Sequence, residues 1–141
     1  MKTLLEFFIK HIEFLYLNPS YRFTDSRNRG LADIDAAISI TGERLTWTIA
    51  NDRGQILFSV VPVPLLSADN WFWLPLIRQY LEGGDDTGAG SPVEQANWLS
   101  NNLSRVEQLF ADDSTAARSC EELVALRRSN SYKNFGWPKP D

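Results

Sequence analysis

The chain has 141 residues, 43% hydrophobic, 12% aromatic and 23% charged, so it is sized for one domain with material for a real core and is not a disordered tail. Lys and Arg supply 14 positive charges against 18 negative ones from Asp and Glu, a formal net of −4, which argues against a general nucleic-acid binder needing a cationic surface. The single Cys120 and single His11 exclude an intrachain disulfide and a Cys/His zinc site, and leave a Cys–His dyad only if those two residues meet.

Along residues 1–17, Leu5, Phe8, Ile12 and Leu15 recur at spacings of three and four, with Leu4, Phe7 and Ile9 widening the face, which predicts an amphipathic core helix. Glu6, Lys10, His11 and Glu13 interrupt the apolar run and no small-residue cleavage site follows, so the segment does not read as a signal peptide. It is also too short to span a bilayer. Without an export signal or a cysteine pair, the expected compartment is the cytoplasm. Asn18-Pro19 stops the helix, because proline disfavours helical dihedrals in the residue before it.

Period-2 segments follow. Tyr21 and Phe23 alternate with polar residues; Ala32, Ile34, Ala36, Ile38 and Ile40 alternate with Asp33, Asp35 and Ser39. After a turn at Gly42-Glu43 come Leu45, Trp47 and Ile49, and after a second turn at 51–54 come Ile56, Phe58 and Val60. Short loops between alternating segments predict a four-stranded antiparallel meander over 21–61 with one buried face.

Pro62 and Pro64 end the sheet, and the period becomes 3.6. Asp69 or Asn70 is placed to cap a helix carrying Leu74, Ile77 and Leu81, provided Pro75 lies in its first turn. Gly83-Gly84 terminates it, and residues 83–91 read as a loop with no phosphate-cradling motif. Ser91-Pro92-Val93-Glu94 forms a capping box before Ala96, Leu99, Leu103, Val106 and Phe110. Asp112, Asp113 and Ser114 break and recap the chain before a last helix with Cys120, Leu123, Val124 and Arg127, and 129–141 reads as a C-terminal tail. The expected architecture is a single α+β domain over 1–141: an N-terminal helix, the meander, then three helices on the sheet's apolar face. Its buried face should include Phe8, Ile12, Ile38, Trp47, Ile49, Phe58, Ile77, Leu99, Leu103 and Val106.

Charge is unevenly spread. Residues 1–66 carry seven charges of each sign, residues 67–126 three positive and ten negative, and residues 127–141 four positive and one negative. The helical half is therefore acidic, with pairs at Asp85-Asp86, Asp112-Asp113 and Glu121-Glu122. Two readings stand: solvated loop and helix-start acids, or an electrostatic docking face for a basic partner.

No catalytic set emerges. A Ser–His–Asp triad would have to use His11, which sits among Phe8, Phe14 and Leu15 and reads as a structural histidine. Cys120 lies on a helix stripe, where a free cysteine is a small core residue. Asp33 and Asp35 share one strand face and leave a metal or proton-sharing role open beside a solvated outer face. Trp71, Phe72 and Trp73 cannot all face one core from one helical turn, so at least one is expected near the surface as an interface anchor, while tucking under the sheet is the competing reading.

Four stretches, residues 21–26 (YRFTDS), 45–55 (LTWTIANDRGQ), 71–84 and 134–137 (NFGW), together resemble the small immunity proteins of bacterial polymorphic-toxin and contact-dependent growth inhibition systems. The resemblance is one of feature order over nearly the whole chain, without a catalytic motif. It implies a cytoplasmic, non-catalytic protein that binds one cognate toxin domain and occludes its active site or substrate access. The residues singled out for partner binding are Trp71, Trp73, Asp85, Asp86, Asp112 and Asp113. No cofactor, no direct nucleic-acid contact and no membrane are expected, and the chain is expected to be a monomer or weak dimer. Two alternatives remain: a small metal-dependent hydrolase using Asp33 and Asp35, or a subunit of a structural or regulatory complex with Trp71–Trp73 as its seam.

Overall fold

The computed structural model describes residues 1–29, 35–86, 88 and 90–135. The fold is α+β, with one antiparallel sheet and five α-helices among the described residues. The strands β1 (Arg22–Arg29), β2 (Asp35–Thr41), β3 (Leu45–Asp52), β4 (Gln55–Pro62) and β5 (Phe72–Trp73) lie in the order in which the chain makes them. Asp33, and with it the Asp33–Asp35 pair, lies outside the described residues, as do Ala32 and Ile34.

The alternation of β2 to β4 decides which side is core. Ile38, Ile49 and Phe58 are direct cross-strand neighbours, as are Ile40, Trp47 and Val60, and all are buried. Such pairs are the unit of sheet stabilisation. The β3–β4 hairpin closes on two residues, Arg53 and Gly54, both with positive φ (52° and 91°), the conformation that matches the twist of a two-residue hairpin. The Asn51 side chain accepts the Gly54 N–H at 2.8 Å. At Gly42 the constraint is space, since a Cβ there would stand 2.7 Å from the Tyr21 ring.

Four differences from the sequence expectations have physical reasons. The N-terminal helix is two pieces, α1 (Lys2–His11) and α2 (Glu13–Tyr16), with Ile12 between them at φ −112°, ψ 12°. That change of dihedral lets Ile12 and Leu15 both reach the core, while the buried stripe on α1 runs through Leu4 and Phe8 and leaves Leu5 46% and Ile9 63% exposed. A fifth strand replaces the start of the third helix, because Phe72 and Trp73 pair with Val60 and Ser59 of β4. Consequently α3 (Leu74–Glu82) is capped by Trp73, not by Asp69 or Asn70, and Pro75 falls in its first turn. Third, Leu103 is partly rather than fully buried, unlike the other nine core residues named above.

The fourth concerns the tail. The last two helices are α4 (Pro92–Gln108), opened by the reciprocal Ser91–Glu94 capping box, and α5 (Asp113–Phe135). α5 therefore continues six residues past 129. Asn130 exchanges two amide hydrogen bonds with Gln79 of α3, at 2.6 and 3.1 Å, and Lys133 faces Asp85 at 3.4 Å. A polar helix face gains partners there that no hydrophobic periodicity announces. α1, α3 and α4 contact β3 and β4, whereas α5 packs chiefly on α3 and on the 3-10 turn Val63–Leu65. Trp98 ties α4 to α3 by donating its indole N–H to Glu82 at 2.7 Å. Among the described residues, no helix is long and apolar enough to cross a membrane.

Candidate functional site

β5 is two residues long, and a strand shows alternate side chains to opposite faces. Phe72 is therefore fully buried, while Trp71 and Trp73 remain 37% and 39% exposed on the other side. The two indoles meet edge to face, with ring centroids 4.3 Å apart and planes at 74°. Arg127 of α5 fixes the strand from behind. It donates to the backbone carbonyls of Trp71 (2.7 Å) and Asp69 (2.8 Å), and its guanidinium lies 5.4 Å from the Phe72 ring centroid. A charged side chain on the apolar stripe of α5 thus answers backbone acceptors that a two-residue strand leaves open.

Cross-strand register extends this edge into a surface. The outer face of the sheet, turned away from Trp47 and Phe58, reads in rows: Asp25, Ser39, Thr48, Ser59 and Trp73; then Arg27, Ala37, Ala50 and Leu57; then Asp35, Asp52 and Gln55. The middle of the face is small and uncharged, and hydroxyls bridge its strands, Ser39 to Thr48 at 2.9 Å and Thr41 to Thr46 at 3.0 Å. Two cavities meet at Leu57 and Trp73. One, of about 720 Å³, lies over Ala37 and Ala50 and reaches Arg27, Asp35, Asp52 and Arg53. The other, of about 330 Å³, is walled by Leu57, Trp73, Pro75 and Leu76, with Asp86, Arg127 and Asn130 at its margin. Together they form a groove passing on both sides of Trp73.

The structure divides the sequence-predicted residues into two sets. Trp71, Trp73 and Asp86 belong to the groove region, and Asp85 stands beside it on the ion pair with Lys133. Asp112 and Asp113 begin α5, about 21 Å along the helix from Arg127 at 1.5 Å per residue. There Asp112 accepts the Thr115 backbone N–H (2.8 Å), the Ser114 hydroxyl (3.0 Å) and the Thr115 hydroxyl (3.2 Å). These bonds, the backbone one foremost, hold its carboxyl below the usual aspartate value. Asp113 takes the Arg44 guanidinium at 2.9 Å, and the same Arg44 donates to the Phe110 carbonyl at 2.8 Å. Glu122 accepts the Tyr80 hydroxyl. The pairs adjacent in sequence are thus separate local devices and not one continuous face.

Leu57, Pro75, Leu76 and Asn130 line the groove without having been singled out from the sequence, because each lies there by tertiary packing. Arg127 did carry a signal, a cation at a stripe position of an otherwise apolar helix face. His11 is half-buried with its ring 4.9 Å from that of Phe7, and Cys120 is buried, its thiol pushed up by desolvation. Among the described residues, no three of His, Cys, Asp and Glu gather as a metal-holding group. Trp137, in the NFGW stretch at 134–137, lies outside the described residues. Compared with protein-family models, with curated proteins and with solved structures, the chain matches none.

Proposed function

We propose that the chain is a protein-binding module that docks a partner through Trp71, Trp73 and the groove beside them, and that the partner is a bacterial toxin domain whose active site or substrate access it occludes. The observation that carries the first half is the edge-to-face tryptophan pair, exposed yet held in place from behind by Arg127. Tryptophan is enriched among the residues that dominate interface energies, and an aromatic anchor already fixed in the free protein loses little entropy on binding. Asp86 at the groove margin and Asp85 next to it supply the negative charge that steers a basic partner. The toxin identity follows from the resemblance to immunity proteins, and with it a cytoplasmic site of action and a monomeric or weakly dimeric free state.

Capture with the tagged wild-type protein from bacterial lysate, compared with the Trp71→Ala/Trp73→Ala variant, tests both halves. The expected outcome is one stoichiometric partner that the variant loses. That partner, expressed alone, should arrest growth, and co-expression of the wild type but not of the variant should restore it. A variant that keeps the partner rejects the tryptophan surface, and a captured partner without toxicity rejects the neutralising role.

A further inference from the structure

We infer that a second copy of this chain docks on α1, the two helices running antiparallel about a two-fold axis between Leu5 and Ile9. This goes beyond the protein-binding reading above, because the patch lies at the β1 edge of the sheet and the tryptophans at the β5 edge. Four strand spacings, about 19 Å, separate the two.

The patch is apolar and contiguous. Phe7 of α1 meets Phe58 of β4, with ring centroids 6.0 Å apart, and Phe8 meets Phe23 of β1 at 6.1 Å. At about 100° per residue, Leu5 and Ile9 fall on the side of Phe8 away from Phe7, towards the open edge of β1. Phe23 lies opposite Ile40 on the inner face of that edge strand, 57% exposed, and stacks on Tyr16 at 6.1 Å. Leu5, Ile9 and Phe23 are thus exposed together where the core layer runs out. Single exposed apolar residues need no explanation, whereas a contiguous group marks an interaction site. The contact is made by the helix and not by extending the sheet. β1 carries Arg22, Asp25 and Arg27 and a bulge between Phe23 and Asp25, features that discourage pairing at a strand edge.

Charge selects the occupant. Residues 67–126, with three positive and ten negative side chains, repel a second copy of the same acidic surface. α1 carries both signs, with Glu6 and Lys10 exposed on the solvent flank of the Leu5–Ile9 stripe. A copy turned by 180° about the level of Phe7 sets its Ile9 beside Leu5 and its Leu5 beside Ile9. At 1.5 Å per residue, Glu6 then lies about 3 Å along the helix from Lys10 of the copy, on the same flank, and symmetry repeats the pair. A pattern that satisfies itself under a two-fold rotation fits a second copy, whereas a foreign charged partner calls for one sign.

Sedimentation velocity of the full chain over a micromolar-to-millimolar concentration series tests this. Wild type is expected to form a reversible dimer that dissociates on dilution. Ile9→Glu, at a position 63% exposed and clear of the core, should weaken association about ten-fold or more, because a two-fold interface loses the side chain twice. Glu6→Lys and Lys10→Glu should each weaken it, and the exchange Glu6→Lys/Lys10→Glu should restore it. Trp71→Ala/Trp73→Ala should leave the dimer intact, so this inference and the tryptophan reading fail separately. A wild type that stays monomeric at millimolar concentration, or an Ile9→Glu protein that dimerises as well as wild type, overturns the second copy on this patch. A monomeric wild type whose Ile9→Glu variant loses the captured partner gives the patch to that partner instead. A dimer weakened by Ile9→Glu but indifferent to the charge variants overturns the antiparallel register.

Discussion

At the scale of single residues, Tyr21 to Glu107 is the contact that ties the entry to β1 to α4. The Tyr21 ring is buried against Gly42, and its hydroxyl donates to the Glu107 carboxylate of α4 at 2.6 Å. Burial first, and then this hydrogen bond, raise the Tyr21 hydroxyl well above its ordinary value of 10.0. A folded-state value above the unfolded one means that the stabilisation is complete below pH 10.0 and is lost as the pH rises beyond it. Tyr80, raised by burial and by its bond to Glu122, acts in the same direction. Tyr21→Phe should therefore cost about 1–2 kcal/mol at neutral pH in urea unfolding, and should flatten the fall in stability above pH 10. An unchanged midpoint at neutral pH would show that the bond contributes nothing to the folded state.

Elements are set by their ends. The Ser91–Glu94 box satisfies donors at the start of α4 through bonds of 3.1 and 3.4 Å, and Pro92 contributes its preset φ just inside. Ser91→Ala should cost about 1 kcal/mol, read as a shift in denaturation midpoint, whereas Ser91→Asp should restore most of it. At the other end of the molecule the continuation of α5 past 129 is stabilising. Ending the chain after Ser129 removes the Asn130–Gln79 exchange, and calorimetry should show a loss of about 1–3 kcal/mol together with a lower melting temperature. A truncated chain as stable as the full one would mean that this part of the helix merely accompanies the fold.

For the whole molecule, the separation of the acidic pairs makes a kinetic prediction. Asp85→Asn/Asp86→Asn, next to the groove, should slow association with the captured partner and reduce its salt dependence. Asp112→Asn/Asp113→Asn, at the start of α5 and about 21 Å along that helix from Arg127, should leave association unchanged and lower stability through loss of the cap and of the Arg44 pair. Stopped-flow traces at two ionic strengths distinguish the two, and the opposite ranking would move the docking surface to the start of α5. The sequence by itself determined the α+β class, strands β2 to β4, the Ser91 cap and nearly all of the core, because period and capping are local properties that neighbours along the chain express directly. For the three adjacent aromatics at 71–73 it left two readings, at least one near the surface or one tucked under the sheet. Only the tertiary structure decided that these aromatics form a strand, with Phe72 inward and both tryptophans outward, since the hydrogen bonds that make it come from Val60 and Ser59. Tertiary packing also decided that α5 runs to Phe135 and that Asp112 and Asp113 stand apart from Asp85 and Asp86. Both depend on partners 40 to 70 positions distant in sequence, and no local pattern carries that information.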